Sequence, residues 1–165
     1  EPPSYVLPPL LDQPEPLFLI LENLQDPGNL GTMIRTGEGA GITGVIMNQQ
    51  TVDIFNPKTI RATMGSIFRV PFVYVSELSP VLTQMHERGI HTYAAHLKGQ
   101  KYYDSFSFRE PIAFLIGNEG NGLTKEISDQ AGQYLKIPME GKVESLNASI
   151  AAALLMYEAH RQRNL

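Results

Sequence analysis

The chain alternates short uninterrupted apolar runs with longer segments of mixed polarity. LFLIL at 17–21 is the first run, followed by GVIM at 44–47, FVYV at 72–75, HTYAA at 91–95, IAFLI at 112–116 and YLKIP at 134–138. Continuous apolar runs of this length suit strands buried on both faces. Between them, residues 28–39, 57–64, 79–88, 124–131 and 147–162 read as helices. Strand followed by helix, about five times over, predicts an α/β fold: a mostly parallel sheet with helices on both faces.

Residues 1–16, EPPSYVLPPLLDQPEP, hold six of the twelve prolines and read as a linker or extended arm before a domain spanning 17–165. At 165 residues, with 42% apolar and 18% charged positions, one domain with a full core is the expectation. With no cysteine, the chain has neither a disulfide framework nor a thiol nucleophile, which suits a reducing compartment such as the cytoplasm. No apolar run approaches the roughly 18 residues of a membrane span, so no membrane association is expected. The formal charge of −4 argues against nucleic-acid binding by bulk electrostatics, while local patches such as Lys136 with Lys142, or Arg161 with Arg163, stay open. A solvated helix end is the favoured reading of the arginine pair. The first residue is Glu1 rather than Met, which suggests a fragment of something longer.

One glycine pattern misleads. GAGITG at 39–44 matches G-x-G-x-x-G, but it follows a helix and precedes a strand, the reverse of a dinucleotide fingerprint, and reads as a helix C-terminus and turn. There is no P-loop signature, and His86, His91, His96 and His160 lack metal-ligand spacing, so no metal is expected.

Three segments do look chemical. In ENLQDPGNLGTMIRTGEGAG, Asp26 is placed to cap a helix with Pro27 in its first turn. Asn29 and Gly31 would bring an amide and bare backbone to the helix mouth, and Arg35 could direct a guanidinium at an anion there. In AFLIGNEGNGLTKEI, a buried strand stops at Gly117, and Glu119 sits among glycines before the next helix. That turn lies at the carboxyl end of a strand, where open α/β sheets bind ligands. In IPMEGKVESLNASIAAALLMYEAHR, a strand ends at Pro138, a loop carries Glu144 and Ser145, and Ser145 or Asn147 caps a final helix. Ala151 to Ala153 give that helix a close-packing face.

Together, in this order, the three segments resemble the SpoU (TrmH-like) branch of the SPOUT RNA methyltransferases. NLQDPGNLGTMIRT is similar to the family's first motif, IGNEGNGL to its second and IPMEGKVESLNAS to its third, over about residues 17–163. The resemblance implies transfer of a methyl group from S-adenosylmethionine to a ribose 2′-hydroxyl in rRNA or tRNA. It also implies a C-terminal deep trefoil knot that holds the cofactor, and a homodimer whose interface completes the site. By resemblance, Gly117, Ile137 and Leu146 hold the cofactor, with Asn118, Met139 and Ala95 completing its pocket. Arg35 matches the catalytic arginine, and Asn29, Glu119, Ser145 and Asn147 match the other polar site residues. The family often carries an additional N-terminal RNA-binding domain, which implies that this chain is a catalytic domain. A noncatalytic RNA- or nucleotide-binding module of the same fold is the alternative, and an ordinary nucleotide-binding α/β enzyme is a third reading.

Overall fold

A computed structural model describes residues 5–96, 98–143 and 145–165; Glu144 lies outside them. Its framework is a six-stranded sheet: β1 (Leu17–Leu21), β2 (Gly44–Asn48), β3 (Phe72–Val75), β4 (His91–Ala95), β5 (Ile112–Ile116) and β6 (Gln133–Leu135). The spatial order is β3-β2-β1-β5-β4-β6, and every paired neighbour is parallel. All carboxyl ends therefore share one edge, and β5, late in the chain, is inserted beside β1.

The uninterrupted apolar runs have a direct physical reason. All five residues of β1, and all five of β5, are buried. Leu17, Leu19 and Leu21 pack on one face with α2 (Pro27–Ala40) and α6 (Ala148–Arg163). Phe18 and Ile20 pack on the other with α4 (Ser79–Glu87) and α5 (Lys125–Gln130). Each fully buried side chain of this size contributes about 1.5–3 kcal/mol, so a polar residue at any of these positions would be costly. α3 (Pro57–Thr63) packs against α2 on the same side as α6.

Three local expectations change. The proline-rich segment is not extended throughout: Leu7–Leu11 form one helical turn, α1, with proline in its first positions, where no backbone N–H is needed. Leu10 and Leu11 of that turn are buried in the second core. The last strand ends at Leu135 rather than 138, because Lys136 leaves β4 and pairs instead with the 101–103 segment: Lys136 N–H donates to Lys101 O at 3.1 Å and Tyr103 N–H to Lys136 O at 2.9 Å. Arg163 is not a solvated helix end. It is partly buried and donates to four main-chain carbonyls, of Glu15, Pro16, Phe108 and Glu110, at 2.7 to 3.2 Å. It thereby ties the C-terminal helix to the chain entering β1 and β5, while burial lowers its pKa. GAGITG does form a helix end and turn, with α2 ending at Ala40 and Gly41 in the left-handed region at φ 80°.

Candidate active site at the carboxyl edge of the sheet

β1 and β5 are neighbours, so the loops that follow them meet. Glu119 bridges them. Its carboxylate accepts the Gln25 N–H at 2.9 Å and the Asp26 N–H at 2.6 Å, with the Asn29 amide at 3.5 Å. Partial burial pushes this carboxyl upward, but the Gln25 and Asp26 N–H donors outweigh that and hold it below the usual glutamate range. Asp26 in turn caps α2, accepting from Gly28 N at 2.8 Å and Asn29 N at 3.1 Å. A carboxylate of the second motif thus orients the start of the helix that carries Arg35.

The second loop is shaped by its own residues. Asn118 Oδ1 accepts the N–H groups of Gly120 and Asn121 at 2.9 and 3.0 Å, and its amide donates to Asn23 O at 2.8 Å. Asn118 and Gly122 exchange main-chain hydrogen bonds, with Gly122 at φ 69°. A Cβ on Gly117 would stand inside the contact distance of the Gly122 and Leu123 backbone, so only glycine lets the loop fold back on itself here.

Sequence reading missed one anchor. Glu22, directly after β1, is 5% exposed, and its carboxyl accepts Thr124 N–H at 2.7 Å and the Thr124 hydroxyl at 2.8 Å. A carboxylate at the end of an otherwise apolar run was the available signal. Asn48 supports the same loop, donating to Asn23 Oδ1 at 2.8 Å and accepting Asn23 N–H at 2.9 Å.

The remaining expected residues are less connected. Arg35 is exposed on α2 and makes no side-chain hydrogen bond or ion pair among the described residues. Asn147 caps α6, its Oδ1 accepting from Ser149 N at 2.8 Å and Ser149 Oγ at 2.6 Å; Ser145 is exposed. No hydrogen bond joins Arg35, Ser145 or Asn147 to Glu119 and Asn29 among the described residues. Gly31 does not serve the helix mouth as expected: it faces α3, where a Cβ would come within 2.6 Å of Thr59 O.

The neighbouring strands provide the apolar half. Ala95 ends β4, Gly117 follows β5, and Ile137 follows β6 by two residues, all at the carboxyl edge. Ala95 and Ile137 are partly buried against the core, and Asn118, Met139 and Leu146 are half-buried. A Cβ on Gly99 would come within 2.9 Å of the Leu135 main chain, so bare backbone lies beside these side chains. An apolar wall of this kind suits an adenosyl group, which needs stacking surface rather than charge. A cavity of about 470 Å³ lies elsewhere, between α2, α6 and Tyr103, lined by Thr32, Ile150, Leu154 and Tyr157 among others. Ile150, Leu154 and Tyr157 are exposed at helical spacing on α6.

The model of the SpoU rRNA Methylase family matches residues 16–157. The chain is 37% identical over 150 residues to the TrmH-family protein YacO of Bacillus subtilis, covering 91% of this chain and 60% of that one. It is 37% identical over 139 residues to the 23S rRNA (guanosine(2553)-2′-O)-methyltransferase RlmP of the same organism, covering 84% of this chain and 56% of that one. The crystal structure of the SpoU methyltransferase AviRb from Streptomyces viridochromogenes with the cofactor AdoMet superimposes with a TM-score of 0.91 at 31% identity, over 98% of this chain and 66% of that chain. The chain therefore spans about 60% of the length of the curated relatives it matches. No described helix is long and apolar enough to cross a membrane.

Proposed function

The chain belongs to the SpoU rRNA methylase family, and on that premise we propose that it is an S-adenosylmethionine-dependent RNA methyltransferase acting on a ribose 2′-hydroxyl of rRNA or tRNA. The observation that carries the reading is the join between the first two motifs: Glu119 holds the loop that caps the Arg35 helix, so a residue of the second motif orients the helix start that bears Asn29.

In this reading Ala95, Gly117, Asn118, Ile137, Met139 and Leu146 hold the cofactor. S-adenosylmethionine supplies, when bound, a methyl group made electrophilic by its sulfonium centre. The protein's own residues act on the other reactant. A 2′-hydroxyl is a poor nucleophile near neutral pH, so charge developing on its oxygen must be stabilised. Arg35 is the cation suited to that role, because it is exposed, has no counter-ion among the described residues and can donate to the ribose oxygen. Arginine keeps its proton under ordinary conditions, so electrostatic stabilisation is favoured over base action. Glu119 positions rather than accepts, because a carboxylate already held by backbone N–H groups below its ordinary range is a weak base. Asn29, Ser145 and the amide of Asn147 would orient sugar and phosphate.

A homodimer in the cytoplasm completes the proposal. Arg35, Ser145 and Asn147 make no hydrogen bond to the Glu119 cluster among the described residues, and α6 leaves Ile150, Leu154 and Tyr157 uncovered beside α2. Pairing two copies through this face would cover the stripe and bring Arg35 toward the partner's cofactor. The absence of cysteine and the rRNA-modifying relative support the cytoplasm. The departure of Lys136 from β4 to pair with residues 101–103 is where a C-terminal knot would begin to thread. An additional N-terminal domain that selects RNA belongs to the same proposal, supported by the greater length of the relatives.

Calorimetric titration with S-adenosylmethionine, with mass measured by light scattering, tests this reading. Saturable binding to a dimer is expected; a well-folded dimer that binds none would favour the noncatalytic module. Arg35→Ala is expected to abolish methyl transfer to RNA while leaving cofactor affinity intact, and unchanged turnover would remove Arg35 from the reaction.

A further inference from the structure

The segment from Ile54 to Ser76 is the longest stretch of the chain without a carboxylate, 23 residues carrying Lys58, Arg61 and Arg69 in a protein of net charge −4. It is also where apolar surface is left uncovered. Phe55, Ile60, Met64 and Phe68 are four of the eleven large apolar side chains exposed among the described residues. Phe68 is 71% and Met64 67% exposed, and Met64 adopts a left-handed backbone at φ 49°.

This segment lies beside the Arg35 helix and runs in the same direction. The Thr59 hydroxyl donates to Pro27 O at 2.9 Å, Gly31 abuts Ala62, and Glu38 accepts from Ser66 Oγ at 2.7 Å and from Arg69 Nε at 2.5 Å. Arg35 falls between Gly31 and Glu38, so it lies alongside residues 62–66. Glu38 neutralises Arg69, whereas Lys58 and Arg61, like Arg35, are exposed and make no side-chain hydrogen bond or ion pair among the described residues.

Uncompensated cations around exposed apolar and aromatic side chains match an unstacked nucleic-acid strand: cations meet phosphates, and flat or polarisable side chains meet base faces. A neutral protein groove would satisfy the apolar patch and leave the cations without partners. We propose that α3 and the turn after it, through Lys58, Arg61, Met64 and Phe68, receive the RNA strand flanking the methylated nucleotide. The inference rests on the reading of this chain as an RNA methyltransferase and adds where the RNA lies. Arg35 then lies beside a continuous track rather than standing as an isolated charge.

The test is fluorescence anisotropy of the purified chain with a short labelled single-stranded RNA of mixed sequence, over a range of salt concentrations. Lys58→Ala with Arg61→Ala is expected to lower the salt slope by about 0.7 for each cation removed. Phe68→Ala is expected to weaken binding roughly 5- to 100-fold with the slope unchanged. S-adenosylmethionine affinity should be the same in all forms. Variants that bind RNA like the parent chain overturn the inference, as does a parent chain that binds the cofactor but no RNA at low salt, and both results leave the proposed chemistry standing. Loss of cofactor binding by the parent chain would instead strike the proposed function. If Phe68→Ala halves the mass in solution without changing RNA affinity, the face joins two copies of the chain and the inference falls.

Discussion

The Asp26 N–H donates to the Glu119 carboxylate at 2.6 Å across 93 positions of sequence. That bond, with the one from Gln25, makes the loop after β5 a support for the loop after β1. Glu119→Ala is expected to cost about 1–2 kcal/mol, since both N–H donors are exposed and water can replace the lost partner. Amide exchange at Gln25, Asp26 and residues 117–122 should rise more than exchange in the sheet. Equal exchange in both forms would mean that Glu119 does not hold the loop.

The same carboxyl gives a pH dependence with a definite sign. Its folded pKa lies below the ordinary value, so the unfolded chain takes up the proton first as pH falls. The stability it contributes is complete above the ordinary glutamate value of about 4.3 and is lost as pH drops through the lowered folded value. Glu38, Asp129 and Glu158 are lowered as well, so the informative quantity is the difference from Glu119→Gln. Urea midpoints of the two forms should converge on acidification, and parallel curves would refute the assignment.

Glu22→Ala is expected to destabilise the fold by about 1–3 kcal/mol, because it removes the acceptor of the Thr124 N–H and hydroxyl in a partly buried contact. Glu22→Gln keeps one acceptor and should cost less. Chemical denaturation distinguishes the two, and equal costs would show that side-chain volume rather than hydrogen bonding sets the effect.

Gly117→Ala places a methyl group against the Gly122 and Leu123 backbone, which has no flexible end to yield. Overpacking of about 1–3 kcal/mol is expected, with weakened S-adenosylmethionine binding because the loop must open. Calorimetry that finds the parent affinity would place the cofactor elsewhere.

Leu154→Glu sets a carboxylate in the exposed stripe of α6. A surface change of this kind should alter monomer stability by no more than about 0.5 kcal/mol. The mass by light scattering should nevertheless halve. A variant that keeps the parent mass would rule out this face as the proposed dimer contact.

Local sequence marked the central strands because burial on both faces demands uninterrupted apolar residues: LFLIL and IAFLI read as strands buried on both faces, and both ended where the runs ended. It also made the Asp26 cap legible and narrowed the cap of α6 to Ser145 or Asn147, of which the structure uses Asn147, since capping side chains reach only two or three residues along the chain. The motif residues were legible in the same way, as residue types at short spacing. What sequence could not show was which loops meet. Strand order is set by packing among distant segments, and inserting β5 beside β1 is what brings Glu119 to Asp26 and Thr124 to Glu22. Gly31 and Arg163 depart from expectation for that reason, since the partner of one is α3 and those of the other are carbonyls from two separate stretches of chain, 15–16 and 108–110. The chain fixes each residue's chemistry locally, whereas its partner depends on tertiary contacts that no spacing along the sequence encodes.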